Sequence, residues 1–163
     1  VSLSPKALEI ANNRKTKVQS WYLDVNLLSG YWGTERVYHH TAPISMNYAL
    51  HESLRLVLEE GLQTRWARHK ANHEKLVAGL KKLRLGIASQ EGHQLWQLNA
   101  VTVPEETDEA QVRKRLLEKY QIEVGAGLGP MKGKIWRVGL MGESSTAENV
   151  DRYLDAMTQI LAH

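Results

Sequence analysis

Three stretches of the sequence carry residue types that can do chemistry. The first is Lys134-Ile135-Trp136-Arg137-Val138-Gly139-Leu140. It reads as a strand in which Ile135, Arg137 and Gly139 share one face, and Trp136 and Val138 the other. An arginine in so apolar a strand needs a partner or solvent, because an unpaired buried charge is costly. Its planar fork matches a carboxylate through two parallel hydrogen bonds. A substrate carboxylate and a structural ion pair both satisfy that requirement. The second stretch is Tyr38-His39-His40-Thr41, a phenol, two imidazoles and a hydroxyl directly ahead of a helix that starts at Thr41 and Pro43. Free amides and the positive end of the dipole at such a terminus attract an anion, phosphate included. The alternative is a capped helix whose loop aromatics simply pack. His39-His40 is also a weak signal for general acid–base work.

The third stretch holds His69 and His73, at i and i+4, so both imidazoles point the same way and can suit a metal. The intervening Lys70-Ala71-Asn72 lacks the glutamate of a zinc-protease motif, and no third ligand is near in sequence. Both also lie on an apolar stripe. They are expected to be packed helix histidines, with no metal site. Gly125-Ala126-Gly127-Leu128-Gly129-Pro130 is the most flexible run of the chain. Its spacing is not that of a dinucleotide fingerprint, and it opens no clear helix. Neither a G-x-S-x-G elbow nor a P-loop is present.

These residues need elements to hold them. Ser4-Pro5 reads as an N-cap with proline at the first helical position, for a helix to Asn12 or Asn13. Asp24 caps a second short helix that ends at Gly30 and Gly33, and residues 34–41 are irregular. The next helix keeps Met46, Leu50, Leu54, Val57 and Leu58 on one face, and Gly61 punctuates it. From there Leu62, Trp66, His69, His73, Leu76, Leu80 and Leu83 step by four and three along one stripe of a long helix. Beyond Leu85 the pattern changes to β-β-α-β-β-α. Strands are predicted at 86–89, 95–103, 122–124 and 134–140, with a helix capped by Thr107 or Asp108 and another from Ser145. Ser145-Thr146-Ala147-Glu148 has the spacing of a capping box. The fold class is α/β, with helices on one side of a small sheet. Residues 86–163 read as a complete two-layer unit. Residues 1–60 read as the tail of a larger domain.

Composition bounds the function. The chain has 163 residues, 42% hydrophobic and 24% charged, the profile of an ordinary globular protein. No apolar run approaches the roughly 20 residues of a membrane-spanning helix, so no membrane partner is expected. Zero cysteine removes disulfides, thiolate metal sites and cysteine nucleophiles together, and fits a cytoplasmic address. The net charge of +3 rests on short basic clusters, Arg14-Lys15-Lys17, Lys81-Lys82-Arg84 and Arg113-Lys114-Arg115. They are expected to be solvated faces, with no nucleic-acid partner. The first residues, Val1-Ser2-Leu3-Ser4-Pro5, lack both an initiator Met and the marks of a signal peptide. A chain processed or cut from something longer is the expectation.

Five strings taken together carry a resemblance: Arg14-Lys15-Thr16-Lys17, Trp21-Tyr22-Leu23-Asp24, Tyr38-His39-His40-Thr41-Ala42-Pro43, Gly127-Leu128-Gly129-Pro130 and Lys134 through Gly142. In this order the chain resembles the C-terminal part of class V, fold-type I aminotransferases that use pyridoxal 5'-phosphate. The nearest resemblance is to alanine–glyoxylate and serine–pyruvate aminotransferases. It covers essentially all 163 residues. The resemblance implies the C-terminal end of the large cofactor-binding domain in 1–60, a connecting long helix in 61–85, and a small C-terminal domain in 86–163. It implies a lysine upstream of Val1 that holds the cofactor as a Schiff base, so no catalytic residue lies in this chain; Lys6, Lys15 and Lys17 fall too late in the pattern. Tyr38 and Thr41 match positions presented to the cofactor phosphate of the neighbouring subunit, and Arg137 matches the arginine that grips the substrate carboxylate. His39 and His40 belong to the matched string without an assigned role. The implied partners are the missing N-terminal part of the enzyme, a second copy in a homodimer, and small amino-acid and 2-oxo-acid substrates. The implied reaction moves an amino group from alanine or serine to glyoxylate or pyruvate. The competing class is a non-catalytic fragment that binds phosphate or a partner, or a class V enzyme with another amine substrate.

Overall fold

A computed structural model describes residues 2–162. The chain forms two compact units, Val1–Ser53 and Leu54–His163. In the first, Ser4 caps α1 (Pro5–Asn12) by accepting from the Ala7 amide at 3.2 Å, with proline in the first turn as expected. A 3-10 turn at Trp21–Leu23 leads to α2 (Val25–Trp32), whose cap Asp24 accepts from the Asn26 amide at 3.0 Å. Asn26 also reaches back, its Nδ2 donating to the Ala11 carbonyl, which ties α2 to α1. An irregular segment then runs to α3 (Ile44–Glu60), whose first ten residues belong to this unit. No described residue of the unit is buried within the chain.

The second unit holds the core. Gly61, at φ +80°, takes the left-handed turn that separates α3 from α4 (Leu62–Lys82). β1 (Leu98–Thr102), α5 (Glu109–Tyr120), β2 (Gly125–Ala126), β3 (Ile135–Gly139) and α6 (Ala147–Leu161) follow. The sheet is antiparallel in the order β1-β3-β2. Register places Val101 opposite Trp136 and Asn99 opposite Val138 on the face that meets the helices. Leu76 and Leu80 of α4, Leu116 of α5, and Val150 and Met157 of α6 close over that face. Trp136, fully buried, donates its Nε1–H to the Glu109 carbonyl at 3.2 Å. Helices on one side of a small sheet is therefore correct.

Several boundaries differ from the sequence reading. The strand expected at 86–89 is only a bridge, Ile87 opposite Val101, because the chain turns away after two backbone bonds to β1. The strand expected at 122–124 forms instead at Gly125–Ala126; Val124 points into the core. Asp108, not Thr107, caps α5 through the Gln111 amide at 3.0 Å. The capping box at Ser145 does not form. Asn72 holds the buried Ser145, donating to its carbonyl at 2.7 Å and to its Oγ at 3.2 Å, so Thr146 caps α6 through the Asn149 amide. The α4 stripe is buried at His69, His73, Leu76 and Leu80, whereas Leu62 and Trp66 are exposed.

Candidate active site

β3 presents Arg137 on the sheet face opposite the core. Its register partners are Ala100 on β1 and Gly125 on β2, both small, which leaves room for a guanidinium to lie across the sheet. Nε donates to the Ala126 carbonyl at 2.7 Å. A Cβ on Gly125 would stand 3.1 Å from Nη2 and 3.2 Å from Cζ, so the absence of a side chain there lets the guanidinium rest on the backbone. Nη1 and Nη2 have no hydrogen-bond partner among the described residues, and Arg137 forms no ion pair among them. The side chain is half-buried, oriented by one bond, with its outer edge free. A carboxylate meeting that edge receives one N–H from each terminal nitrogen, an end-on bidentate contact. The sequence marked Arg137 but not its supports. Gly125 and Ala126 read as a flexible run, and only the pairing of β2 with β3 gives them this role.

In the first unit, the segment ahead of α3 brings Tyr38 and Thr41 together. The Tyr38 hydroxyl and Thr41 Oγ1 lie 2.9 Å apart, both residues exposed, with Thr41 three residues before the first turn of α3. Two neighbouring hydroxyls beside a helix start fit a phosphate, which takes several hydrogen bonds and favours the positive end of the dipole. His39 and His40, between them in sequence, bond one another through their Nδ1 atoms at 2.9 Å. Arg137 belongs to the other unit.

His69 and His73 are each engaged separately. His69 Nδ1 donates to the Arg65 carbonyl at 2.8 Å, and His73 Nδ1 to Asn99 Oδ1 at 2.7 Å, tying α4 to β1. Both side chains are packed in the core side of α4. No group of three metal-ligating side chains occurs among the described residues. Nor is any described helix long and apolar enough to cross a membrane.

No protein-family model matches the chain. Individual proteins do. Alanine–glyoxylate aminotransferase of Rattus norvegicus is 37% identical over 167 aligned residues, covering all of this chain and 40% of that protein. The crystal structure of alanine–glyoxylate aminotransferase from Nostoc sp. superposes with a TM-score of 0.91 at 48% identity, over 98% of this chain and 42% of that one. This chain belongs to the class V aminotransferases. It corresponds to their C-terminal part, and spans about two fifths of the length of the relatives it matches. A second branch of the family is equally near. The (S)-ureidoglycine–glyoxylate transaminase of Bacillus subtilis is 40% identical over 144 residues, 88% of this chain and 35% of that protein. The family is one of pyridoxal-phosphate enzymes, and its fold-type I architecture accounts for the mixed helices and small antiparallel sheet seen here.

Proposed function

We propose that the complete protein transfers an amino group from a small amino acid, alanine or serine, to glyoxylate or pyruvate. This chain supplies the grips for substrate and cofactor, and the part upstream of Val1 supplies the lysine. The free outer edge of Arg137 carries the reading. With Nε already committed to Ala126, the outer edge offers one N–H from each terminal nitrogen to a carboxylate that meets it end-on. Such a contact fixes the amino acid by its α-carboxylate and so limits how its Cα–H bond can be oriented for proton removal. Tyr38 and Thr41 hold the cofactor phosphate of the neighbouring subunit, which makes a homodimer part of the site. When bound, pyridoxal phosphate supplies the electron sink for the carbanion that proton removal leaves on the substrate. Residues 1–60 close the large domain, 61–85 connect, and 86–163 form the small domain. The exposed Met46, Leu50, Leu54 and Leu58 of α3 are then faces covered by the rest of the enzyme and its second copy.

A second reading differs in the donor alone. The identity to the ureidoglycine–glyoxylate transaminase favours an (S)-ureidoglycine donor with the same glyoxylate acceptor. Both donors carry the carboxylate that Arg137 needs.

The test is substitution of Arg137 in the complete enzyme. Hydrogen bonds to charged groups contribute about 1.5–3 kcal/mol, so Arg137→Ala should lower kcat/KM for the amino donor by roughly ten- to several-hundred-fold. Arg137→Lys keeps the charge, loses the fork, and should recover little. An amine without a carboxylate should lose much less, and the melting temperature should hold. Unfolding of Arg137→Ala, or unchanged kinetics with alanine, serine and ureidoglycine alike, makes Arg137 structural. A panel of those three donors against glyoxylate separates the two readings.

A further inference from the structure

We propose that His39 and His40 form a paired-imidazole splint that positions Tyr38 and Thr41 to hold the cofactor phosphate. The inference rests on the phosphate reading above and gives a task to two residues which that reading leaves idle.

The protonation pattern of the pair follows from its partners. The Trp21 carbonyl lies 3.0 Å from His39 Nε2 and can only accept, so His39 carries its proton on Nε2. Neutral His39 then offers a lone pair at Nδ1. In that tautomer the Nδ1–H of His40, 2.9 Å away, donates to it. A chain of two directed bonds therefore runs from His40 through His39 to the backbone 18 residues earlier in sequence.

Rings brace the chain on either side. Trp21 lies against His39 with centroids 4.4 Å apart, and Tyr22 meets His40 edge-on at 5.0 Å. Tyr31 of α2 touches both the pair and an anchor: its ring centroid is 5.2 Å from His40 and 6.3 Å from Tyr38. The need for such a brace is plain from the segment itself. Residues 33–41 contain no helix or strand, and no described residue of the unit is buried within the chain. Beyond the helix-end bond from the Gly33 amide to the Ser29 carbonyl, the segment is tied to the preceding elements by the Val37 amide, which donates to the Gly30 carbonyl at 3.1 Å, and by His39. A phenol and a hydroxyl that must meet one phosphate within hydrogen-bond reach gain affinity from being held there beforehand. Since the pair occupies the two positions between Tyr38 and Thr41, fixing it fixes both anchors.

The prediction concerns discrimination between two probes, pyridoxal phosphate and phosphate-free pyridoxal, titrated onto the complete apoenzyme by absorbance. His39→Leu and His40→Leu should each weaken pyridoxal phosphate by about tenfold, the usual effect of freeing one charge-assisted contact. Pyridoxal affinity should stay within about twofold, since it lacks the group the anchors meet. His40→Asn puts an amide N–H near the position of Nδ1 and should restore phosphate discrimination. Tyr38→Phe with Thr41→Val serves as the reference for the phosphate reading itself. If that double variant leaves discrimination intact, the phosphate reading fails and the splint with it. If it lowers discrimination while neither histidine variant does, only the splint is overturned. Equal weakening of both probes by His40→Leu also overturns it, because a general packing defect does not distinguish them. Should His39→Leu fail to fold, the contrast of His40→Leu with His40→Asn decides.

Discussion

Tyr153 places a hydroxyl in the core of the second unit with no hydrogen-bond partner among the described residues. Burial pushes its phenol above the ordinary range, so it stays neutral at every physiological pH. A buried hydroxyl without a partner forfeits its hydration and receives nothing in return. Tyr153→Phe in the complete enzyme should therefore leave stability unchanged or raise it by up to about 1 kcal/mol in denaturant unfolding. A loss of that size instead means that the hydroxyl has a partner supplied by the rest of the enzyme. Arg137 shows the opposite economy, with Nε spent on Ala126 and the terminal nitrogens left for a ligand. It was legible in the sequence because strand alternation is strict and an arginine among Ile135, Trp136 and Val138 stands out. The His39–His40 bond was not. Adjacent residues in an irregular segment have no periodicity that says which way their side chains turn.

The elbow between α3 and α4 is held by charge. Glu60 accepts from Arg65 at 2.6 Å and from Arg68 Nε at 2.6 Å and Nη2 at 2.9 Å. Arg65 continues to Glu143, and Arg68 to the carbonyls of Gly142 and Ser145, so one network ties the elbow to the turn before α6. The hydrogen bonds from Arg68, then Arg65, hold the Glu60 carboxyl down at about 2, against an ordinary 4.5. A depressed carboxylate contributes stability that is fully present above the unfolded value and is lost as pH falls through the folded one. The gap in unfolding midpoint between wild type and Glu60→Gln should thus be widest at neutral pH and close between pH 4.5 and about 2. A gap that persists unchanged to pH 2 means the carboxylate's charge is not what stabilises the elbow. The same network explains a misplaced cap. Ser145 and Thr146 both suit an N-cap, and the local pattern with Glu148 favoured Ser145. Asn72 and Arg68, more than 70 residues away, claim Ser145 and leave the cap to Thr146. Local spacing carries no sign of so distant a bond. A two-residue strand such as β2 is equally hidden, since pairing alone defines it.

At the scale of the whole molecule, the chain divides its labour between units. One carries a hydroxyl pair ahead of α3, and the other a half-buried arginine on an otherwise finished sheet. The second unit has a dense core, whereas the first exposes Trp32, Tyr38, Met46 and Tyr48. The chain spans about two fifths of the length of the relatives it matches. On the proposed function, the lysine that binds the cofactor covalently lies outside these residues, and its position is directly measurable. The complete enzyme, loaded with pyridoxal phosphate and reduced with borohydride, should yield one stoichiometrically labelled peptide that maps upstream of Val1. Lys6, Lys15, Lys17 and the chain's other lysines should remain unlabelled. A saturable label on any lysine within residues 1–163 would contradict the account.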